Sequence, residues 1–194
     1  MRKFNQKLPF LINPPVQGRR RFLKIGGVAL AASFAGTAIA AVPTTATPER
    51  RLRLYNIHTG EQSTPIYWED GAYQDEGLAQ IDRLLRDYRS DEVSRIDTGL
   101  LDLLNTLSAS LDTQESLHVI SGYRSPATNA MLRERSGGVA KHSLHMDGLA
   151  IDIRVPGRNL SDVRRAAIAL NGGGVGYYPD SDFVHVDVGR VRIW

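Results

Sequence analysis

The sequence contains no cysteine, and it lacks the helical HExxH zinc motif. The first absence excludes disulfide bonds, cysteine-ligated zinc sites and thiol nucleophiles. The second excludes metalloproteases that bind zinc through two histidines on one helix. Five histidines are present in the 194 residues. Any metal site must therefore combine histidine with carboxylate side chains, and the core must stabilise the fold without covalent cross-links.

Acidic residues are absent from residues 1–40, which hold seven of the 24 lysines and arginines. Removing this segment leaves 17 basic against 21 acidic side chains in residues 41–194, a net charge of −4. The overall charge of +3 therefore belongs to the N-terminal segment. Because the remaining chain lacks a basic footprint, we expect no nucleic-acid partner.

Strongly hydrophobic runs are also scarce. A weakly apolar stretch from Ile25 to about Ala41 follows the basic segment 19–24 (Arg-Arg-Arg-Phe-Leu-Lys) and closes with the small residues of 38–40 (Ala-Ile-Ala). These are the three parts of a secretory signal. The paired arginines before Phe-Leu-Lys resemble the twin-arginine export motif. A retained membrane anchor is the alternative, but a spanning helix needs about 20 strongly apolar residues.

The chain is therefore predicted to divide into three parts. Residues 1–40 are interpreted as a twin-arginine signal peptide, removed on export to the periplasm, and residues 41–50 as a linker with prolines and threonines. Residues 51–194 have the length of one domain. We expect this domain to be monomeric and not to insert stably into the membrane after signal cleavage.

Hydrophobic periodicity in the predicted domain indicates both helices and strands. Apolar residues at helical spacing predict helices, and alternation with period two predicts strands with one buried face. The predicted helices are Asp75–Arg89, a helix after Asp97, Pro126–Arg135 and Ser161–Leu170. The predicted strands are residues 51–58, Thr64–Trp68, Leu117–Ser121, Gly148–Val155, Val175–Tyr178, Phe183–Val188 and Val191–Trp194. This order indicates an α+β domain, with a small, mainly antiparallel sheet and flanking helices.

Two predicted apolar strands each contain a polar residue. Asp152 lies among Leu, Ala and Ile, and His185 lies between two valines with Asp187 on the same face. A buried aspartate is costly without a partner or a metal. If the strands are neighbours, the loop before Asp152 can fold His145 onto both residues. Two imidazoles and a carboxylate suit a catalytic zinc ion with an open fourth position, although purely structural histidines fit the spacing equally well.

Several linked motifs resemble the family of zinc D-Ala-D-Ala carboxypeptidases and murein endopeptidases. Ser-x-His-x-x-Gly-x-Ala-x-Asp occupies residues 143–152, and Asp-x-x-His occupies 182–185. Gly-Gly-Val-Gly-Tyr-Tyr-Pro at 173–179 and Ser-Gly-Tyr-Arg-Ser at 121–125 extend the likeness to the MepK-like subgroup, which carries export signals. The resemblance covers about residues 50–194 and implies a hedgehog/D-Ala-D-Ala-peptidase-like fold.

The resemblance also implies roles for individual residues. The implied Zn²⁺ ligands are His145, Asp152 and His185. The family's general base stands three residues before the last ligand, which is Asp182 here, although the segment 180–182 is also typical of a polar turn. Arg124 is implied to stabilise the oxyanion or to hold the substrate carboxylate. We assign Asp187 to orienting a ligand imidazole.

These roles imply a zinc-dependent murein endopeptidase. Such an enzyme hydrolyses peptide cross-links of peptidoglycan by a metal-activated water, without a covalent intermediate. A carboxypeptidase that trims terminal D-Ala is the alternative within the enzyme class. A zinc-stabilised module that binds murein without cutting it is the alternative outside that class, since hedgehog-type domains resemble the same site.

Overall fold

The computed structural model describes residues 48–136 and 138–194. The predicted signal peptide and residues 41–47 of the predicted linker lie outside the described residues. Within the two described ranges, no helix is both long enough and apolar enough to cross a bilayer.

Strands and helices intermix along the described chain. The strands are β1 (Glu49–Arg51), β2 (Leu54–Asn56), β3 (Gln62–Ser63), β4 (Ile66–Glu69), β5 (Ala72–Tyr73), β6 (Leu117–Ser121), β7 (Ala150–Arg154), β8 (Gly174–Tyr178), β9 (Phe183–Asp187) and β10 (Arg192–Ile193). The helices are α1 (Asp75–Leu84), α2 (Thr98–Ser110), α3 (Pro126–Arg135) and α4 (Leu160–Leu170).

The main sheet has seven strands in the order β10-β8-β9-β7-β6-β2-β3. Its pairs are antiparallel except for β2 with β6 and β10 with β8. A second, three-stranded antiparallel sheet has the order β1-β4-β5. The prediction of an α+β domain with a mainly antiparallel sheet is confirmed.

The core lies on one face of the central strands and leaves the opposite face for polar residues. Ile151 and Ile153 of β7, with Val184 and Val186 of β9, are buried in this core. Four leucines of α2 recur at helical spacing and are also fully buried in it: Leu100, Leu101, Leu104 and Leu107. Because side chains alternate across a strand, the intervening Asp152 and His185 point to the other face.

Helix α1 ends at Leu84, so the prediction that it continues to Arg89 is wrong. Beyond Leu84, contacts from distant segments fix a different backbone. The carbonyl of Leu85 accepts a hydrogen bond from the backbone N–H of Tyr123 at 2.8 Å. The carboxylate of Asp87 accepts from the backbone N–H groups of Arg89 at 3.0 Å and Ser125 at 2.9 Å. These contacts turn the chain where its apolar periodicity alone favours a helix.

The predicted strand 51–58 is also interrupted. Its first residue belongs to β1, which pairs with β4 in the small sheet, and its middle forms β2 in the main sheet. The two residues between β1 and β2 form hydrogen bonds with different segments. The N–H of Leu52 donates to the carbonyl of Pro65, and the carbonyl of Arg53 accepts from the N–H of Leu117. This segment therefore connects the two sheets.

Candidate metal centre

Three predicted ligands converge on the polar face of the main sheet. Asp152 of β7 lies directly opposite His185 of β9 in the antiparallel register. Nδ1 of His185 is 2.9 Å from Oδ1 of Asp152, and Nε2 of His145 is 3.2 Å from Nδ1 of His185. One ligand atom from each residue lies within 4.8 Å of the others, and all three residues are buried. The pairing of β7 with β9 therefore brings two of the three predicted ligands together.

His145 is supplied by a short 3-10 turn, Leu144–Asp147, that ends at Gly148 in the left-handed region with φ of 69°. A Cβ at Gly148 would also collide with the backbone carbonyl oxygen of Arg95, so this turn requires glycine. Nδ1 of His145 is 2.8 Å from the carbonyl oxygen of Gly122. Because a carbonyl only accepts, the proton sits on Nδ1 and leaves Nε2 free to bind a metal.

His185 is oriented by Asp187. Its Nε2 is 2.9 Å from Oδ2 of Asp187, so Nε2 donates and Nδ1 faces the cluster. Asp187 is 0% exposed. Its carboxylate also accepts from the backbone N–H groups of Gly174 at 3.0 Å and Gly189 at 2.8 Å, and from two N–H groups of Arg192 at 3.1 and 2.7 Å. Four donors other than the imidazole therefore hold the carboxylate that fixes the imidazole.

The charges of the cluster favour a cation. Burial opposes ionisation of Asp152, but the imidazoles of His145 and His185 outweigh it and hold the pKa of Asp152 well below its usual range. Burial also opposes a charge on His185, but the carboxylates of Asp152 and Asp187 outweigh it and raise the pKa of His185 above its ordinary value. A nitrogen from each imidazole and a carboxylate oxygen match the donor set of catalytic zinc sites, so the residues fit the ion.

Arg124 lies beside the cluster with unused hydrogen-bonding capacity. Its side chain is 12% exposed, and Nη2 is 3.3 Å from Oγ of Ser121 and 3.8 Å from Oδ2 of Asp152. Its buried Nε has no hydrogen-bond partner among the described residues. Its backbone N–H donates to the carbonyl of His145 at 3.1 Å. Burial lowers the pKa of Arg124, and the carboxylate of Asp152 opposes this effect.

A cavity of about 440 Å³ opens over these residues. Arg124 and the three clustered residues line this cavity together with Tyr178 and Phe183. The aromatic rings of Tyr178 and Phe183 stack on each other with centroids 4.5 Å apart. The cluster is therefore open to a ligand from one side, as a catalytic rather than a closed structural metal site requires.

The structure does not bring Asp182 to this cavity. Its carboxylate is 62% exposed and lies 3.0 Å from Nη1 of Arg154. Together with His118 it borders a different cavity. Asp182 follows the 3-10 turn Pro179–Ser181 with φ of 53°, in agreement with the polar turn as the alternative interpretation of this segment. The general-base role of Asp182 therefore stays a prediction.

Arg192 and Trp194 also line the cavity, although neither was predicted from the sequence as a site residue. Arg192 donates to Asp187, and the ring of Trp194 lies 5.2 Å from the ring of His185. Both belong to the last predicted strand, where residues two apart point to the same face. The period-two pattern of this strand puts Arg192 and Trp194 on the same face. Nothing in the sequence indicated that this face borders the predicted metal ligands.

The chain matches known proteins over most of its length. A family model described as "Peptidoglycan L,D-endopeptidase MepK" matches residues 44–194. Peptidoglycan L,D-endopeptidase MepK of Escherichia coli (strain K12) is 46% identical over 176 residues, covering 91% of this chain and 96% of that protein. Probable peptidoglycan L,D-endopeptidase MepK of Haemophilus influenzae is 40% identical over 179 residues, covering 92% and 96%. The chain belongs to the peptidoglycan L,D-endopeptidase MepK family.

Proposed function

We propose that this protein is a zinc-dependent endopeptidase that hydrolyses peptide cross-links of peptidoglycan. The observation that carries the proposal is the convergence of His145, Asp152 and His185 beneath an open cavity. Each imidazole has its outer nitrogen engaged by an acceptor, which leaves the inner nitrogen for a metal. The family relatives are named for L,D-endopeptidase activity, which favours an L,D bond as the bond that is cut.

The proposed ligand atoms are Nε2 of His145, Nδ1 of His185 and a carboxylate oxygen of Asp152. Zinc bound there would lower the pKa of a bound water and polarise the scissile carbonyl. The protein contributes the fixed tautomers, since Gly122 and Asp187 hold the outer N–H groups. Partners of this kind raise the affinity of histidine for a metal.

Arg124 is proposed to bind a substrate oxygen. A buried donor without a partner costs about 1–3 kcal/mol, and Nε of Arg124 is such a donor in the described structure. A carboxylate of the substrate, or the oxyanion formed during attack, would satisfy it. An interaction that is strongest with the oxyanion lowers the barrier, because the charge develops only in the transition state.

The assignment of Asp182 as general base carries a structural condition. Its carboxylate must leave Arg154 and turn toward the cavity before it can take a proton from an attacking water. If this occurs, Asp182→Asn lowers kcat by about 10²–10⁴-fold and leaves zinc affinity unchanged. An unchanged kcat would rule out Asp182 as the base.

Muropeptide analysis of digested, purified sacculi tests the proposed function. We expect cross-linked muropeptides to disappear as monomers accumulate, a chelator to stop the reaction, and added Zn²⁺ to restore it. Release of free D-Ala with cross-links intact would instead support the carboxypeptidase. Murein binding without cleavage at any zinc loading would support the non-catalytic module. Asp162→Asn, which removes an exposed carboxylate on α4, is a suitable control for Asp182→Asn.

We also propose that the protein is exported to the periplasm by the twin-arginine pathway and acts there as a monomer. The basis is the sequence of residues 1–40 and the location of peptidoglycan. Replacing Arg19, Arg20 and Arg21 together by lysine keeps the positive charge of the segment. We expect that change to abolish export, whereas a general secretory signal would tolerate it. Fractionation with an antibody to the folded domain distinguishes the two results.

A further inference from the structure

Trp194 forms part of the wall of the cavity beside a proposed metal ligand. Its indole ring lies 5.2 Å from the imidazole ring of His185, with an angle of 50° between the ring planes. Tyr178 and Phe183 continue the same wall. These three aromatic residues, which we call the aromatic wall, border the cavity that also contains Arg124.

The indole ring is held in place by contacts on several sides. Nε1 donates a hydrogen bond to the hydroxyl oxygen of Tyr178 at 2.8 Å. The guanidinium carbon of Arg192 lies 4.8 Å from the ring centroid. The ring also packs on the backbone of Gly176, where a Cβ would approach within 2.7 Å of it. The backbone of Trp194 is anchored on β8, since its N–H donates to the carbonyl of Val175 at 3.2 Å and its carbonyl accepts from the N–H of Tyr177 at 3.1 Å.

Despite these contacts, Trp194 remains 46% exposed. A large aromatic side chain that stays exposed to water does not gain the favourable free energy of burial. A ring that is both fixed and exposed can bind a ligand with little further loss of conformational freedom. Arg192, which contacts the ring, also binds Asp187, so the same guanidinium orients the aromatic wall and the metal ligand.

We propose that Trp194 is a substrate-binding residue that packs against aliphatic C–H groups of the peptidoglycan stem peptide. This inference rests on the proposed function. An extended residue spans about 3.3–3.6 Å, so the ring, 5.2 Å from His185, reaches groups within about two residues of the scissile bond. The sugar rings of the glycan also present C–H surface, but they lie outside the peptide that is being cut.

Tryptophan fluorescence provides a direct test, because the chain contains only Trp68 and Trp194. In the zinc-loaded Trp68→Phe variant, all indole emission comes from Trp194. A monomeric stem peptide without sugar serves as the probe, since it has no cross-link to be cut. We expect its titration to shift or quench the emission with the same Kd as calorimetry, and the disaccharide alone to have no effect. Binding by calorimetry with constant emission, or a response to the disaccharide alone, would overturn the inference.

Kinetics on cross-linked, sugar-free stem peptides supply the second test. Loss of an aromatic packing contact worth about 1.4 kcal/mol raises KM about tenfold. We expect this rise for Trp194→Ala, partial recovery for Trp194→Phe, and no change for Ile193→Ala. Ile193 is the matched control, because it neighbours Trp194, is similarly exposed at 51% and does not line the cavity. An unchanged KM in Trp194→Ala would refute the inference.

Zinc titration and urea unfolding of each variant separate this inference from its alternatives. A purely structural role predicts that Trp194→Ala lowers the free energy of unfolding or the zinc affinity without a specific rise in KM. If the wild-type protein binds no zinc or cuts no cross-link, the proposed function itself fails. If the wild type does both and Trp194→Ala retains its KM, only the role of Trp194 fails.

Discussion

Asp187→Asn tests whether Asp187 sets the zinc affinity of the cluster through the tautomer of His185. In the structure, Oδ1 of Asp187 accepts from Gly174, Gly189 and Nη1 of Arg192, while Oδ2 accepts from Nη2 of Arg192 and Nε2 of His185. An asparagine oxygen can keep the first three bonds. Its amide N–H₂ then takes the place of Oδ2 and faces two donors. Only the hydrogen bonds from Nη2 of Arg192 and Nε2 of His185 are therefore lost.

The substitution changes the tautomer that His185 prefers. An amide N–H₂ in place of Oδ2 favours a neutral imidazole with its proton on Nδ1, because Nε2 must then accept. Nδ1 is the atom that faces Asp152 and His145, and a protonated nitrogen cannot bind a metal. Loss of such an orienting partner typically costs 10–100-fold in metal affinity, or about 1.4–2.7 kcal/mol. The lost bond from Arg192 costs the metal-free fold about 1–3 kcal/mol.

A competition titration with a zinc chelator measures the affinity, and urea unfolding of the metal-free protein measures the stability. We expect Asp187→Asn to bind zinc about 10–100-fold more weakly than the wild type. Asp187→Ala, which removes all of the acceptors, should lose more stability than Asp187→Asn. Asp162→Asn provides the control for removing a carboxylate. A zinc affinity for Asp187→Asn equal to that of the wild type would refute the tautomer argument.

Three other changes test separate parts of the structure. Arg124→Ala should lower kcat/KM for cross-linked muropeptides by about 10²–10³-fold while zinc affinity stays unchanged; equal loss of both would indicate a structural role. Gly148→Ala should destabilise the fold in urea by more than Gly60→Ala, because both have positive φ but only Gly148 meets a backbone carbonyl. Burial opposes ionisation of Asp87, but hydrogen bonds from Thr128 and the backbone outweigh it and lower its pKa. Its contribution to stability is therefore present above about pH 4, the usual aspartate value, and is lost as pH falls through the lower folded value. The difference in free energy of unfolding between wild type and Asp87→Asn should shrink on acidification of the metal-free protein, and a constant difference would contradict this.

The sequence predicted the centre of the fold because the relevant signals are local. Alternating valines and isoleucines in β7 and β9 defined one buried face, which left Asp152 and His185 on the other. Antiparallel pairing then placed these two residues opposite each other. The cluster was therefore predictable from strand periodicity together with the linked motifs that resemble the family.

Features set by contacts between distant segments were not predictable in this way. Helix α1 ends early because Leu85 and Asp87 bond to the segment after β6, which no local pattern reveals. The parallel pairing of β10 with β8 brought Trp194 to the cavity, although its strand periodicity gave no partner. Asp182 itself has a left-handed backbone at the end of a 3-10 turn, and this backbone sets the direction of its side chain. The spacing of Asp182 from His185 therefore did not predict where its carboxylate lies.

The segment Gly122–Arg124 and the turn that carries His145 are joined by two reciprocal hydrogen bonds. The carbonyl of Gly122 accepts from the imidazole of His145, and the N–H of Arg124 donates to the carbonyl of His145. Whatever fixes His145 therefore also fixes the backbone of Arg124. If zinc orders this pair, substrate must bind more tightly to the zinc-loaded protein, and by thermodynamic linkage bound substrate must strengthen the zinc affinity by the same factor. Peptidoglycan itself would then help the protein to retain its metal where zinc is scarce.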